Sequence, residues 1–461
     1  MVIQQGVLLA ASFVFYYLSS KTGEIIIFLI SVLLSYFLGR GLAYAKHHAP
    51  SDALSKFIFL VSVGLCAFPL LTVKLCSMFL SNHPFFIKSL IVPLGLSYYT
   101  LQIIAYLSDC YTEKIQPETN LLRYALFISY FPHIVQGPIP RYDVLSKALK
   151  RDHRFNAQSF IKGCQLILWG YFLKMMIADK VAPAVNMLFN NSGQYVGTYV
   201  LVALVLYSIQ LYTDFYSCVT ICQGVSQLFG IHIGDNFWHP FFATSIKDFW
   251  RRWHISLSTW LRDYIYIPLG GNRKGSLIKH LNILIVFLIS GFWHGNGIQF
   301  LIWGLLHGVY QITASYTISF RDRIYAFFKI NKGTSIYNAI KRIGTFLWVS
   351  IAWVFFRSPS LSSAIQMLKN LFTSLNLWTI FGEERFTYGL DIHDWIVLLC
   401  SIGVLIFVSA VQEKQIAVRE VIAKQPLIIR WGLYLLAISV IWVFGTYGFG
   451  YNAADFIYGG F

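Results

Sequence analysis

The sequence predicts an all-α membrane protein with many transmembrane helices, and its composition and apolar runs support this class. Of its 461 residues, 56% are hydrophobic and only 12% are charged, and the mean hydropathy is +0.59. A soluble domain is about 25% charged, so this chain holds more apolar residues than soluble cores would bury. Many apolar runs are long enough to cross the roughly 30 Å of hydrocarbon in a bilayer. The composition excludes the disordered, collagenous and disulfide-scaffold classes.

The apolar runs predict about eleven to twelve membrane spans in chain order. These runs lie at residues 6–18, 25–38, 57–79, 85–107, 121–135, 160–177, 198–229, 281–292, 299–318, 344–356, 395–411 and 427–444. The first run lacks the basic flank and the small-residue cleavage site of a signal peptide, so we expect it to be retained. No internal repeat or long hydrophilic linker is visible, which predicts one membrane domain over residues 1–461, with C-terminal helices at about 395–461.

The positive charge of the chain is expected of a membrane protein. Lys and Arg number 36 against 20 Asp and Glu, which gives a formal net charge of +16. The positive-inside rule places basic stretches in the cytoplasm, beside anionic lipid headgroups. We expect no nucleic-acid partner, because no soluble basic domain with interleaved aromatic residues is visible. The basic stretches are 40–56, 141–162, 247–279, 321–342 and 414–430, whereas 186–197 is uncharged and 383–394 is acidic.

One region departs from the pattern of spans. Residues 236–275 are rich in Arg, His, Asp, Trp and Pro, too polar for a lipid-facing helix and too aromatic for an ordinary loop. Polar backbone at membrane depth is tolerated only where protein or water surrounds it. We therefore predict a buried or re-entrant segment that lines a cavity, in preference to a solvated loop.

Two histidines are the leading candidates for chemistry. His294 ends a short apolar run between Gly291 and Gly295, and His254 lies in the polar region beside Trp253. An ionisable residue at membrane depth is costly and indicates a functional site. Histidine also suits general base catalysis on a hydroxyl group, because its pKa lies near the working pH. The alternative for His294 is a core histidine whose hydrogen bonds are satisfied.

Further polar residues are candidates for substrate binding, each with a structural alternative. Arg251 and Arg252 offer planar donor forks for phosphate or carboxylate, but they also suit membrane anchoring. Asp263 follows Arg262, a pairing more typical of a structural network. His307 extends the polar patch, although core hydrogen bonding explains it as well. The seven cysteines show no metal-ligand spacing, and no Gly-x-Ser-x-Gly elbow, phosphate loop or His-Glu-x-x-His helix is present.

The polar region closely resembles the signature of the membrane-bound O-acyltransferase family, in the branch of the bacterial alginate O-acetyltransferase membrane subunits. It reads FWRRWHISLSTWLRDY from Phe249 and PLGGNR from Pro268. The resemblance is firm over about residues 90–360 and looser elsewhere. The other matching segments are Asn236-Phe237 with Pro240-Phe241, Phe131-Pro132 with Gly137-Pro138 and Arg141, Gly291-Phe292-Trp293-His294-Gly295, Trp303-Gly304 with His307-Gly308, Trp353 to Arg357, and the aromatic terminus 456–461.

The resemblance implies a fold and roles for the candidate residues. The family's catalytic histidine corresponds to His294, and its second reactive polar position corresponds to His254. The implied fold is a ring of helices around a thinned centre, with a central channel where a cytoplasmic donor meets an acceptor from the opposite side. One departure is that Tyr216-Ser217-Cys218-Val219-Thr220 replaces the Ser-Gly-Tyr-Ser-Asp type run usual after Thr213-Asp214-Phe215. The tentative substrate- or donor-binding residues are Arg251, Arg252, Trp253, Asp263, Trp293, His307 and Asp214.

We therefore expect a bacterial O-acyltransferase that spans the plasma or inner membrane several times. It would move an acetyl group from acetyl-CoA, a donor substrate, to hydroxyls of an extracellular polysaccharide or cell-wall glycan, and it would need no bound cofactor or metal. The transfer would be direct or pass through an extracytoplasmic acetyltransferase. Two alternatives stay open: D-alanyl transfer from a carrier protein toward teichoic acid, and a transporter or flippase whose histidines relay protons.

Overall fold

The computed structural model describes residues 2–79, 91–373, 378 and 388–448. Within these ranges the chain is helical and contains no β-strand, which confirms the predicted all-α class. Eight helices among the described residues are long and apolar enough to cross a membrane, as expected of a multi-pass membrane protein. The predicted aromatic terminus 456–461 lies outside the described ranges, as does the beginning of the predicted span 85–107.

The described chain forms two compact units, each assembled from three stretches. Unit 1 comprises Met1–Gly163, Cys222–Asp235 and Thr259–Pro268, and unit 2 comprises Cys164–Ile221, Asn236–Ser258 and Leu269–Phe461. The first six helices belong to unit 1. They are α1 (Val2–Ser19), α2 (Thr22–His48), α3 (Asp52–Phe79), α4 (Leu96–Tyr111), α5 (Leu121–Ser129) and α6 (Tyr142–Lys150).

The remaining helices follow in chain order, and a π-helical turn, Phe172–Ala178, joins the first two of them. They are α7 (Ala157–Tyr171), α8 (Asp179–Asn190), α9 (Thr198–Leu228), α10 (Ile246–Arg252), α11 (Ile255–Leu261), α12 (Ser276–His294), α13 (Ile298–Tyr316), α14 (Ile318–Phe327), α15 (Ser335–Arg357), α16 (Leu361–Leu371), α17 (Ile392–Glu413), α18 (Val418–Ala423) and α19 (Leu427–Phe444).

The core of unit 1 is a cluster of buried aromatic rings. The Tyr106 ring lies 4.7 Å from that of Tyr124 and 5.1 Å from that of Tyr142, centroid to centroid. The Tyr142 hydroxyl donates to Glu118 over 2.6 Å, and Lys150 forms an ion pair with the same carboxylate at 2.6 Å. These contacts fix α6 against the loop after α4, because a buried carboxylate needs partners for its charge.

Close packing of α12 against α13 determines where His294 lies in unit 2. A Cβ atom built at Gly291 would collide with the backbone carbonyl of Phe300, and one at Gly304 would collide with that of Phe287. Small residues allow the backbones of neighbouring membrane helices to approach in this way. The two helices therefore form a tight hairpin, and His294 is the last residue of its first helix.

The structure differs from the sequence-based expectations in the length of several elements. Eight helices in the described ranges meet the length and hydropathy of a span, where the sequence of the whole chain predicts eleven to twelve. In the predicted span 121–135, only the nine residues of α5 are helical, and α4 begins at Leu96, well inside the predicted run 85–107. An apolar run cannot distinguish a spanning helix from a shorter helix followed by a buried loop.

The polar region 236–275 is buried only in part. It contains two helices of seven residues each, α10 and α11, and the side chains of Trp253, His254 and Trp260 are buried. Residues 272–275 are exposed. The predicted buried segment is therefore confirmed for the part around His254, whereas its last residues form an exposed loop.

A buried histidine pair as candidate active site

Unit 2 brings the two leading candidate histidines together. The ring centroids of His254 and His294 lie 6.4 Å apart, and the two residues are 0% and 2% exposed. His254 lies in the turn between α10 and α11 with φ of 44°, a left-handed conformation that is uncommon for a residue with a side chain. Such strained positions are concentrated at functional sites. The two residues are 40 positions apart, and the sequence made both candidates through their residue type and through the family resemblance.

Asn236 determines which nitrogen of His254 carries the proton. Its Oδ1 atom accepts from the backbone N–H and the hydroxyl of Ser256, both at 2.9 Å, and lies 3.3 Å from Nδ1 of His254. Because a backbone N–H can only donate, the amide oxygen faces these groups, and an amide oxygen only accepts. The His254 Nδ1 atom is therefore the protonated one, and Nε2 presents its lone pair.

The Nε2 atom of His254 is buried and has no hydrogen-bond partner among the described residues. Burial lowers the pKa of His254 to about 3, since the charged imidazolium loses its hydration in an apolar site. At neutral pH the ring is therefore neutral, and its free lone pair is a hydrogen-bond acceptor.

Aromatic side chains surround the pair. The Phe215 ring lies 4.8 Å from the His254 ring, and the Trp293 ring lies 6.1 Å from it. Around His294, the ring of Trp303 lies at 5.1 Å and that of Phe356 at 5.4 Å. These distances are centroid to centroid. Such walls exclude water, which strengthens electrostatic interactions within the site.

His307 on α13 extends the site beyond the pair. Its ring is completely buried and lies 5.1 Å from that of Trp303. The indole N–H of Trp250 donates to His307 Nδ1 over 3.3 Å, so in the neutral ring the proton is on Nε2. His307 Nε2 and the Trp303 indole nitrogen are buried donors without partners in the described part of the chain. The region thus contains both a free acceptor and free donors.

Of the two arginines predicted to bind substrate, Arg252 has carboxylate partners and Arg251 lies at the surface. Arg252 donates to Asp248 over 3.1 Å and pairs with Glu413 at 2.8 Å. Arg251 is exposed. The charge of Arg252 is therefore already neutralised within unit 2, and its role in substrate binding stays a prediction. Arg251 could contact a ligand only at the protein surface.

Asp214 and Trp253 also lie in unit 2, within its packed interior. Asp214 on α9 pairs with Lys174 at 2.7 Å, and Lys174 pairs with Asp179 at 2.8 Å. Trp253 stacks on Phe249 with ring centroids 5.5 Å apart. The buried ion group of Lys174, Asp179 and Asp214 holds the π-helical turn against α9. Removing one member would leave a buried charge unpaired, which is strongly destabilising.

Asp263 belongs to unit 1 and is engaged there. Its carboxylate pairs with Arg141 at 2.9 Å and with Arg262 at 2.8 Å. The Arg141 guanidinium also lies 4.2 Å from the ring centre of Tyr264. These contacts agree with the structural alternative for Asp263. In the described ranges, no group of three or more His, Cys, Asp or Glu residues could hold a metal ion.

Sequence reasoning did not identify several residues of the site as functional. Asn236 and Trp303 were noted only within the matching segments, and Lys174 was not noted. Asn236 precedes His254 by 18 positions, and no helical or strand period links them. Backbone hydrogen bonds join the two stretches: Trp238 N–H donates to Arg252 C=O over 2.9 Å, and Ile255 N–H donates to Asn236 C=O over 3.0 Å.

Comparison with known proteins finds one matching family and relatives named as O-acetyl-transferring enzymes. The family model of the membrane-bound O-acyltransferases matches residues 12–356. The chain is 33% identical to a probable alginate O-acetylase of Pseudomonas fluorescens over 323 residues, which are 70% of this chain and 62% of that protein. It is 33% identical to a peptidoglycan O-acetyltransferase of Helicobacter pylori, with coverage of 74% and 68%.

A second kind of relative transfers a different group. The chain is 30% identical to a teichoic acid D-alanyltransferase of Bacillus subtilis over 275 residues, which are 56% of this chain and 68% of that protein. The chain spans less than two thirds of the length of the alginate-type relatives. The match covers 62% of the Pseudomonas fluorescens protein and 56% of a probable alginate O-acetylase of Pseudomonas aeruginosa.

Proposed function

The chain belongs to the membrane-bound O-acyltransferase family, and on this premise we propose that it transfers an acetyl group from a cytoplasmic thioester donor to hydroxyls of an extracellular polysaccharide or cell-wall glycan. The observation that carries the proposal is the buried pair of His254 and His294, whose rings lie 6.4 Å apart. The Nε2 lone pair of His254 has no partner in the described part of the chain. A buried free acceptor beside a second histidine suits the binding of a hydroxyl group.

His294 is the general base in this proposal. The acceptor oxygen attacks the thioester carbonyl carbon while His294 takes the hydroxyl proton. The tetrahedral intermediate then breaks its C–S bond, and the leaving thiolate takes the proton that His294 holds. His294 is the last residue of α12, so its ring lies at the end of the helix, within the buried pair.

His254 positions the acceptor. Its Nε2 lone pair accepts a hydrogen bond from a hydroxyl of the acceptor other than the attacking one, because Asn236 keeps the proton on Nδ1. The other role open to His254 is to stabilise charge in the intermediate. That role requires a donor at Nε2, and the low pKa of His254 disfavours it. The donors for the oxyanion in this proposal are the Trp303 indole N–H and the Nε2–H of His307.

The proposed donor is acetyl-CoA, and the alternative is a D-alanyl group on a carrier protein. Relatives named as O-acetyl-transferring enzymes match at 33% identity over 70% and 74% of this chain. The D-alanyltransferase matches at 30% over 56%. These matches favour the acetyl donor. A direct transfer and a transfer through an extracytoplasmic acetyltransferase both agree with the proposal, as does a location in the plasma or inner membrane.

The test is a donor assay with the purified protein reconstituted in liposomes. We expect consumption of radiolabelled acetyl-CoA and recovery of label in an added glycan or partner fraction, whereas a D-alanyl-charged carrier protein is left intact. Consumption of the D-alanyl-charged carrier with acetyl-CoA left intact would identify the D-alanyl group as the donor instead. Consumption of neither thioester, by protein that is folded and supplied with glycan and partner, would refute acyl transfer.

A further inference from the structure

A second site lies in unit 2 apart from the histidine pair. It is a cavity of about 330 Å³ between α9, the turn Pro240–Phe242, α15 and α17. Its walls are largely apolar, with Phe241, Phe346 and Leu405 among them. A cavity of this size falls in the range of ligand pockets, about 300–1,000 Å³. The proposed acyl transfer makes no use of it.

His239 is the most unusual residue in the wall of this cavity. It is 6% exposed, and neither of its ring nitrogens has a hydrogen-bond partner among the described residues. Its φ is 43°, in the left-handed region. A buried polar side chain without partners costs free energy, and a strained backbone adds to that cost. Both features indicate a position adapted to a ligand.

Two further polar groups line the same cavity. The Tyr212 hydroxyl is buried and has no partner in the described ranges. Arg342 donates from Nε to the Phe242 carbonyl over 3.2 Å, and its guanidinium lies 5.0 Å from the centre of the Phe242 ring. No carboxylate among the described residues forms an ion pair with Arg342. An apolar cavity with a few convergent polar groups is the usual form of a ligand site.

The charges near His239 leave the cavity with a cationic character. Burial lowers the pKa of His239, the nearby Glu413 raises it, and Arg252 lowers it further. Glu413 is paired with Arg252 at 2.8 Å, so its charge is already neutralised. His239 is a neutral hydrogen-bonding group, and Arg342 supplies the unpaired charge. The site therefore suits a ligand with an anionic head and an apolar body.

The position of the cavity indicates the source of such a ligand. Arg342 and Phe346 lie in the first half of α15, and Leu405 and Ser409 lie in the second half of α17. Both helices are long and apolar enough to span a membrane. Basic stretches adjoin these ends, so the positive-inside rule places the cavity at the cytoplasmic leaflet. Anionic phospholipids are abundant there.

We propose that this cavity binds an anionic membrane phospholipid. One acyl chain fills the apolar space, and the phosphate group lies against Arg342, with hydrogen bonds from His239 and Tyr212. An arginine fork is well suited to phosphate oxygens. The bound lipid satisfies the buried polar groups that have no partner within the protein.

The test measures the lipid that stays with the purified protein. Wild-type protein is washed in detergent, equilibrated with equal amounts of phosphatidylglycerol and phosphatidylcholine, and analysed by native mass spectrometry. We expect one tightly held phospholipid per protein, with phosphatidylglycerol preferred. Ile402→Trp, which fills the cavity, should lose this lipid, whereas Leu399→Trp, an exposed position on the same helix, should keep it.

Two polar variants test the head-group contacts, and they decide the matter if Ile402→Trp fails to fold. Arg342→Gln should abolish the preference for phosphatidylglycerol, whereas Arg323→Gln, at an exposed position, should preserve it. His239→Phe should weaken retention of either lipid. Glycerol 3-phosphate, which has the head but no chain, should not displace the bound lipid.

Four results would overturn the proposal. The first is wild-type protein that retains no phospholipid, and the second is equal retention by Ile402→Trp and Leu399→Trp. The third is an unchanged preference for phosphatidylglycerol in Arg342→Gln, and the fourth is displacement by glycerol 3-phosphate. These readouts do not involve acyl transfer, so they remain informative whether or not the proposed enzymatic function holds.

Discussion

At the scale of single residues, the proposed chemistry depends on the proton of His254. The orientation of the Asn236 amide follows from the Ser256 backbone N–H, which donates to it over 2.9 Å. That orientation requires the proton of His254 on Nδ1 and leaves Nε2 as an acceptor. Asn236 is therefore a positioning residue, since it acts through His254.

Replacement of Asn236 tests this role. Asn236→Leu should lower acyl transfer by about 10 to 100-fold, the usual cost of removing the partner that orients a functional histidine. Asn236→Asp keeps an acceptor at the same place and should recover much of the activity. Ser256→Ala is the matched control, because it removes another hydrogen bond to the Asn236 amide oxygen but leaves the His254 contact intact. Steady-state kinetics and thermal unfolding are measured together. An equal loss in Asn236→Leu and Ser256→Ala would contradict the positioning role.

The low pKa of His254 predicts the pH dependence of its contribution. Burial lowers this pKa to about 3, so the neutral acceptor form is present above that value and is lost only as the pH falls through it. His254 should therefore not titrate between about pH 5 and 8, the usual range of histidine. In His254→Asn, kcat/KM should fall by a similar factor throughout this range. If replacement removes an apparent pKa from the profile, the neutral assignment is wrong.

At the scale of helices, the α12–α13 hairpin determines the position of His294. Gly291 and Gly304 each face a backbone carbonyl of the opposing helix, Phe300 and Phe287 respectively. An added methyl group therefore requires the backbones to separate. Since His294 lies three residues after Gly291, that separation also moves the imidazole relative to His254.

Alanine substitutions on two helices test the hairpin. Gly291→Ala and Gly304→Ala should each destabilise the protein by about 1–3 kcal/mol, the usual cost of overpacking, and should lower acyl transfer. Gly403→Ala on α17 is the control, because nothing lies within 4 Å of a Cβ atom at that position. Alanine there should leave activity unchanged and increase stability slightly. Thermal unfolding in one detergent compares all three variants, and unchanged stability in Gly291→Ala would count against the tight hairpin.

The sequence predicted the elements better than their lengths. The hydropathy of the runs that became α2, α3, α9 and α17 was sufficient to identify them as spans. It could not show that α5 has only nine residues, because a buried loop is as apolar as a lipid-facing helix. The pairing of Asn236 with His254 was also inaccessible, since it depends on backbone hydrogen bonds between two irregular stretches.

At the scale of the whole molecule, family membership and the buried histidine pair support the same proposal. The family model extends over residues 12–356, and both histidines lie within it. The family signature around His254 was recognisable in the sequence because the segment contains many aromatic and charged residues in the order typical of the family. The same segment suggested that Arg252 binds substrate; its guanidinium pairs with Asp248 and Glu413, and the binding role stays a prediction.

The most direct test of the account is acyl transfer by His294→Gln in reconstituted membranes, with the thioester that the wild-type protein consumes. The matched control is His280→Gln, which replaces another buried histidine of α12. The Nδ1 atom of His280 lies 3.1 Å from the Tyr316 hydroxyl. General base catalysis contributes about 10² to 10⁴-fold. We expect a loss of that size in His294→Gln and near-wild-type transfer in His280→Gln, with both variants folded. Transfer at the wild-type rate by His294→Gln would show that His294 is not the general base.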